Sequence, residues 1–105
     1  MPEPHSEASR LLGERLRALR LKTACSQEEI ANLAGMNVSN YGKMERGSGN
    51  PEFLTLIRLA SVLGADAAEL VSGIGGETLP EKRRVFTARE FVSERNARRS
   101  PRADS

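Results

Sequence analysis

The spacing of hydrophobic residues predicts an amphipathic helix near the start of the chain. Leu12, Leu16 and Leu19 recur at intervals of four and three residues, which places them on one face of a helix beginning after one of the serines at positions 6 and 9. Most basic residues of this stretch lie off that face. Arg20 differs, because it follows Leu16 by four positions and so borders the buried side. We therefore expect an acidic partner for Arg20 elsewhere in the fold.

A second helix is predicted from the S-x-x-E arrangement of Ser26 and Glu29. In a capping box of this kind, each side chain accepts a hydrogen bond from a backbone N–H that the start of the helix leaves free. Gly35 can adopt the left-handed conformation that ends a helix. The predicted inner-face residues are Ile30, Leu33 and Ala34.

A third helix follows after a connection of only about three residues, which favours two helices that cross at a steep angle. Asn37 is suited to be its N-cap, and Tyr41 and Met44 would face the core. The next position along that face is Glu45, where a carboxylate is unexpected. The second and third helices are thus predicted to form a helix-turn-helix.

The most regular helical spacing of apolar residues predicts a fourth helix from Pro51 to about Leu63. Its predicted core-facing residues are Phe53, Leu56, Ile57, Ala60 and Leu63. A D-x-x-E arrangement of Asp66 and Glu69 then starts a short fifth helix. The pattern as a whole predicts an all-α fold, with a flexible N-terminus at residues 1–8 and a five-helix domain at residues 9–73.

Residues 74–105 are predicted to be a C-terminal extension with a sixth helix at 88–98. Thr87 and Glu90 supply a further capping box at the start of that helix. Four apolar residues cluster around it, namely Val85, Phe86, Phe91 and Val92. We interpret this cluster as a surface for self-association, with packing on the domain and binding of a partner protein as the alternatives.

Composition agrees with one small helical domain and a tail. The chain has 105 residues, of which 38% are hydrophobic and 4% aromatic. Residues 1–73 carry eight Lys and Arg against nine Asp and Glu, whereas residues 74–105 carry eight against five. The cationic part is therefore the extension and not the predicted domain.

Several classes of protein are disfavoured by the sequence. No run approaches the roughly 20 apolar residues of a membrane span and no secretion signal opens the chain, so we expect a cytoplasmic protein with no membrane partner. The single cysteine, Cys25, has no disulfide partner within the chain. One histidine, no metal-ligand cluster and no glycine-rich phosphate loop argue against an enzyme, a metal or a cofactor.

Several spaced motifs resemble the Cro and phage-repressor type helix-turn-helix family across residues 10–72. They are Ser26-Gln27-Glu28-Glu29-Ile30-Ala31, Gly35, Met44-Glu45-Arg46-Gly47, Asn50-Pro51 and Leu59-Ala60. The resemblance implies that Arg20 pairs with Glu45, because members join an arginine late in the first helix to a glutamate at the end of the recognition helix. The chain departs from the family at Ala24, where glycine is favoured, and at Gly42, where a small polar residue is common.

The resemblance also implies a DNA-binding surface on the recognition helix at about residues 38–46, lying in the major groove. The implied base-contacting residues are Val38, Ser39, Asn40 and Lys43. Gln27 matches a phosphate-binding position, and the further backbone contacts expected are Arg15, Arg17, Arg46, Ser48 and Asn50. Val38 has a core position as its alternative. Gly42 either allows close approach to DNA or is a weak helix residue that is simply tolerated.

Two hypotheses for function follow. The first is a sequence-specific regulator of transcription, a repressor that binds double-stranded DNA as a homodimer on a two-fold operator. The second is an antitoxin or protein-interaction module whose extension binds a partner protein. A copurifying partner would favour the second hypothesis.

Overall fold

The computed structural model describes residues 5–79 and 87–99, and within these ranges all regular structure is helical. This confirms the predicted all-α fold. The elements are α1 (Glu7–Thr23), α2 (Gln27–Leu33), α3 (Val38–Glu45), α4 (Phe53–Leu63), α5 (Ala67–Val71), a 3-10 turn (Gly76–Thr78) and α6 (Ala88–Arg99). No helix in the described ranges is long and apolar enough to cross a membrane.

Side-chain caps fix the starts of α2 and α3. The Ser26 hydroxyl accepts a hydrogen bond from the Glu29 N–H at 3.0 Å, and the Ser26 N–H donates to the Glu29 carboxylate at 2.8 Å. The Asn37 side-chain oxygen accepts from the N–H groups of Ser39 and Asn40 at 2.8 and 3.2 Å. Each cap satisfies backbone donors that the first turn leaves free, so the sequence determines locally where the two central helices begin.

Helix α1 ends in a left-handed residue that is not glycine. Ala24 has φ = 62°, and among the described residues it alone combines a side chain with positive φ. Its N–H donates to the Leu21 carbonyl at 3.3 Å, which closes the last turn of the helix. A Cβ atom is disfavoured in this left-handed region, which glycine adopts at no steric cost.

The core draws one large side chain from each of the first five helices. Leu16, Ile30, Tyr41, Leu59 and Leu70 are all fully buried. Each lies on the inward face of its own helix, so the five helices enclose a single apolar centre.

Helix α4 differs from its prediction in both its first residue and the face that it buries. It begins at Phe53, and the preceding Glu52 occupies the N-cap position without a side-chain hydrogen bond. Phe53 is 70% exposed and Ile57 is also exposed, whereas Leu59, which was not assigned to the inner face, is fully buried. The prediction of Phe53 and Ile57 as core residues was therefore wrong. Because apolar residues occupy most positions of α4, the sequence pattern fits two adjacent faces equally well.

Leu33 was also wrongly assigned to the core, since 67% of it is exposed. It is the last residue of α2, where the chain turns away through Gly35. The buried face of this short helix consists of Ile30 and Ala31, continued by Ala34 at its C-cap.

Helices α1 and α3 cross in close contact at Gly13. A Cβ atom added to Gly13 would lie 2.5 Å from the Met44 carbonyl oxygen and 2.6 Å from that of Glu45. Gly13 thus lets the backbone of α3 rest directly on α1. Sequence reasoning did not identify this glycine, because its neighbour across the crossing is distant in the chain.

The sixth helix confirms the prediction for residues 88–98 and extends it by one residue. Thr87 and Glu90 form the predicted capping box, with bonds of 2.9 and 3.1 Å. Phe91 and Val92 are both exposed on this helix. The other two residues of the predicted self-association cluster, Val85 and Phe86, lie outside the described residues.

Candidate nucleic-acid interface

One side of α3 is buried and the other presents a mainly polar surface. Tyr41 and Met44 face the core, as predicted. The four predicted base-contacting residues, Val38, Ser39, Asn40 and Lys43, are all exposed. Val38 is 41% exposed, so its alternative as a core residue is excluded. These four side chains lie within the first six residues of one short helix, which gives them a common exposed surface.

The helix is held in place by the ion pair that Arg20 was expected to need. Arg20 Nε donates to Glu45 Oε2 at 2.6 Å and Arg20 Nη2 donates to Oε1 at 3.0 Å, so the contact is bidentate. Arg20 Nη1 also donates to the Cys25 carbonyl at 3.1 Å. The side chains are only 12% and 2% exposed, respectively. A planar guanidinium therefore joins α1 to the end of α3 and to the start of the turn before α2.

Gln27 adds a third helix to this contact. Its Nε2 donates to Glu45 Oε1 at 2.9 Å, which links the first residue of α2 to the last residue of α3. Burial opposes ionisation of Glu45, but the Arg20 guanidinium, the nearby Tyr41 hydroxyl and the Gln27 amide together outweigh it and hold the pKa of Glu45 below its ordinary value. The Glu45 carboxylate is therefore ionised at neutral pH and acts as the common acceptor of the two helices beside it.

Tyr41 lies next to this network with its ring in the core. Its hydroxyl is buried and has no hydrogen-bond partner among the described residues. Burial raises the pKa of the hydroxyl above its ordinary value, so it stays protonated.

The residues expected to contact phosphate fall into two groups. Arg17 in α1, Arg46 after α3 and Asn50 in the following loop are exposed, and Gln27 at the start of α2 is half-buried with its Nε2 bonded to Glu45. Arg15 and Ser48 form the second group, because their side chains donate to backbone carbonyls of the protein. Arg15 Nη1 donates to the Leu70 carbonyl at 3.1 Å, and the Ser48 hydroxyl donates to the Lys43 carbonyl at 3.1 Å. These two side chains thus stabilise the fold in addition to any role at the surface.

A groove of about 270 Å³ runs between α3 and the start of α4. Asn40 and Lys43 line it on one side, and Asn50 and Thr55 contribute polar groups on the other. Thr55 was not identified from the sequence. The available signal was a hydroxyl residue in an otherwise apolar stretch of α4, which sequence reasoning treated only as part of a core helix.

The described residues contain no group of three His, Cys, Asp or Glu side chains placed to hold a metal ion. The polar residues of this surface are instead amides, hydroxyls and cations. Such groups bind by hydrogen bonding and charge, the means by which proteins contact base edges and phosphates.

Comparison with known proteins gives similar results for sequence and structure. The chain is 35% identical over 63 residues to the SPbeta prophage-derived uncharacterized HTH-type transcriptional regulator YonR of Bacillus subtilis, covering 60% of this chain and 58% of that protein. It is 36% identical over 62 residues to the cryptic phage CTXphi transcriptional repressor RstR of Vibrio cholerae, covering 59% and 56%. The chain thus spans a little more than half the length of these two relatives.

Among solved structures, the fold is similar to the restriction-modification controller protein C.AhdI from Aeromonas hydrophila. The TM-score is 0.57 at 37% sequence identity, and the similarity covers 59% of this chain and 94% of that one. These likenesses confirm the resemblance to repressor-type helix-turn-helix proteins that the spaced motifs indicated. Residues 11–72, more than half of the chain, match the helix-turn-helix domain family, and the chain belongs to that family.

Proposed function

We propose that this protein is a regulator of transcription that binds double-stranded DNA by sequence and acts through binding, not catalysis. The observation that carries the proposal is the exposed surface of α3, whose Ser39, Asn40 and Lys43 side chains are free of the core. A helix of this kind fits the major groove, where amides, hydroxyls and a lysine can bond to base edges. Two relatives named as transcriptional regulators support the same function.

The Arg20–Glu45–Gln27 network supports the proposal because readout of bases requires a fixed helix. The three side chains join α1, α2 and α3 with bonds of 2.6 to 3.0 Å. A rigid support of this kind limits the conformational freedom that α3 would otherwise lose on binding.

Val38 is proposed to contact the methyl group of a thymine, since it is an exposed apolar side chain in the first turn of α3. Lys43 is proposed to bond to guanine, which presents two acceptors in the major groove. The proposed phosphate contacts are Gln27, Arg15, Arg17, Arg46, Ser48 and Asn50. Phosphate contacts set register and affinity, whereas the α3 contacts set sequence preference.

Repression is the proposed direction of regulation. It is supported by a relative named as a transcriptional repressor. A protein bound at a promoter represses when it excludes the polymerase, and this requires no surface beyond the one that binds DNA.

The proposed functional unit is a homodimer, because one domain of this size covers about one half-site of a two-fold operator. Two exposed apolar surfaces are candidates for the contact between the copies. One is the pair Phe91 and Val92 on α6, part of the cluster identified from the sequence. The other consists of Phe53, Leu54 and Ile57 on α4, three large apolar side chains exposed on one helix.

The alternative function is an antitoxin or interaction module in which the extension binds a partner protein. The exposure of Phe91 and Val92 is compatible with it. Under this alternative, α6 would bind another protein while α3 still binds DNA.

Selection of duplexes from fragmented genomic DNA tests the proposed function. The protein is mixed with fragments at fixed salt, and the retained fragments are sequenced. We expect a shared motif with two-fold symmetry among them. Retention without any enriched motif would contradict sequence-specific regulation, because phosphate contacts alone bind all sequences alike.

A further inference from the structure

Gly42 lies in the middle of α3 and is buried, although the residues on either side of it in the chain face opposite ways. The side-chain atoms that lie closest to the open position on Gly42 are polar. A Cβ atom added there would lie 3.2 Å from Arg46 Nη1 and 3.4 Å from Gln27 Oε1. The guanidinium of Arg46 therefore folds back one turn along α3, so that its Nη1 and the Gln27 Oε1 from α2 both border the space that a side chain at position 42 would fill.

The Glu45 network determines how the Gln27 amide is oriented. Because Nε2 of Gln27 donates to the Glu45 carboxylate, its Oε1 is the atom that lies over Gly42, where Arg46 Nη1 also approaches. A carbonyl oxygen beside a guanidinium is electrostatically favourable for that arginine. Within the described residues, the second N–H of the Gln27 amide and the guanidinium of Arg46 make no hydrogen bond, so both can donate to a ligand.

We propose that Gly42 is a positioning residue. Because it has no side chain, the Arg46 guanidinium can lie near the Gln27 amide, and the side chains of Arg46 and Gln27 together bind one phosphate of the DNA backbone. The inference rests on the proposed function. A guanidinium fork and an amide N–H suit a phosphate, which offers several acceptor oxygens. Since phosphates are the same at every base pair, this phosphate contact contributes to affinity and leaves sequence preference unchanged.

Gly42→Ala separates a role in DNA binding from a role in stability, because we expect it to weaken DNA binding while leaving the fold as stable as the parent or more stable. Alanine favours a helix interior over glycine by about 1 kcal/mol, and its Cβ would meet only the ends of two flexible side chains. We therefore expect a melting temperature equal to or above that of the parent. The displaced Arg46 should weaken binding to a duplex of random sequence by about tenfold and lower the salt slope by about one.

A double-variant cycle on the same random duplex gives the decisive comparison. If Gly42 acts through Arg46, Gly42→Ala has no further effect on affinity once Arg46→Ala is present. Gly76→Ala is the matched control, since a Cβ atom there would meet nothing within 4 Å, and it should bind as the parent does.

Three outcomes would overturn the inference. One is unchanged affinity and salt slope in Gly42→Ala. Another is a loss of equal size with and without Arg46, because the glycine would then act on its own. If the parent does not bind the duplex at all, the proposed function fails and the role of Gly42 fails with it, which distinguishes that result from the other two.

Discussion

At the scale of single residues, Ala24 holds the backbone at the end of α1 in a conformation that ordinarily favours glycine. Its φ of 62° brings a Cβ atom into the left-handed region, where an L-residue is disfavoured by about 1–2 kcal/mol. We predict that Ala24→Gly stabilises the domain by about 1 kcal/mol, measured as a rise in the midpoint of thermal or urea unfolding. Ala18→Gly within the same helix is the control and should destabilise by a similar amount. A loss of stability in Ala24→Gly would contradict the strained cap.

The ion pair of Arg20 and Glu45 is the second prediction at this scale. Arg20→Met leaves the Glu45 carboxylate buried without its main charge partner, so we expect a loss of about 3–5 kcal/mol in the free energy of unfolding. Combining it with Glu45→Leu should recover part of that loss. Urea unfolding of both single variants and the double variant measures the coupling.

The exposed pair of Arg98 and Glu94 on α6 provides the matched control for that cycle. Its bond of 3.1 Å is similar, but both side chains are more than half exposed. Arg98→Met should therefore change stability by well under 1 kcal/mol. Additive effects of Arg20→Met and Glu45→Leu would show that burial does not couple the buried pair.

The Arg20–Glu45 pair also shows how far the contacts of single residues could be predicted from the sequence. Each residue is out of place on an apolar face, and the family resemblance supplied the pairing. The contact of Gln27 with Glu45 was not foreseen, because it depends on how α2 and α3 are oriented in space. The same limit applies to Arg15, whose bond to the Leu70 carbonyl joins residues 55 positions apart.

At the scale of helices, the crossing of α1 and α3 depends on Gly13. We predict that Gly13→Ala destabilises the domain by about 1–3 kcal/mol, because the added methyl group would overlap two backbone carbonyls that cannot move independently. Alanine's better helix propensity offsets only about 1 kcal/mol of that strain. Calorimetry or urea unfolding measures the effect.

The control for this prediction is Gly42→Ala, which meets flexible side-chain ends instead of backbone. Both glycines are buried within helices, but their neighbours differ, so the two substitutions should change stability in opposite directions. Equal stability of Gly13→Ala and the parent would mean that the helices can separate at no cost at this crossing.

Helix boundaries followed from local signals wherever a cap was present. The Ser26, Asn37 and Thr87 caps were predicted from the sequence, and the structure contains their bonds. The start of α4 was misplaced by two residues because Asn50 and Pro51 resemble a cap and a first helical residue, yet the helix begins only after Glu52. Local chemistry allows both starts, and a difference of two residues lies within the usual spread of helix boundaries.

At the scale of the whole molecule, the contact between copies has two candidate surfaces that can be separated by substitution. Phe91→Ser with Val92→Ser removes the apolar pair of α6, and Phe53→Ser with Ile57→Ser removes that of α4. All four residues are exposed, so neither double variant should lose much stability. We predict that the α6 variant sediments as a monomer where the parent is a dimer, and that its affinity for a two-fold operator falls sharply because two linked half-sites bind far more tightly than one.

A dimer that persists in the α6 variant but is lost in the α4 variant would assign the contact to α4 instead. If both variants sediment and bind as the parent does, neither apolar surface joins the copies. Circular dichroism of each variant checks that the helices remain folded.

The central claim is that α3 reads bases while Gln27 contacts the backbone, and binding across a library of operator variants at fixed salt tests it most directly. Lys43→Ala should change the order of preferred sequences, because a well-placed base contact discriminates by about 1–3 kcal/mol. Gln27→Ala should weaken all sequences alike and keep their order. An unchanged order of preference in Lys43→Ala would remove that residue from the reading surface and contradict the account.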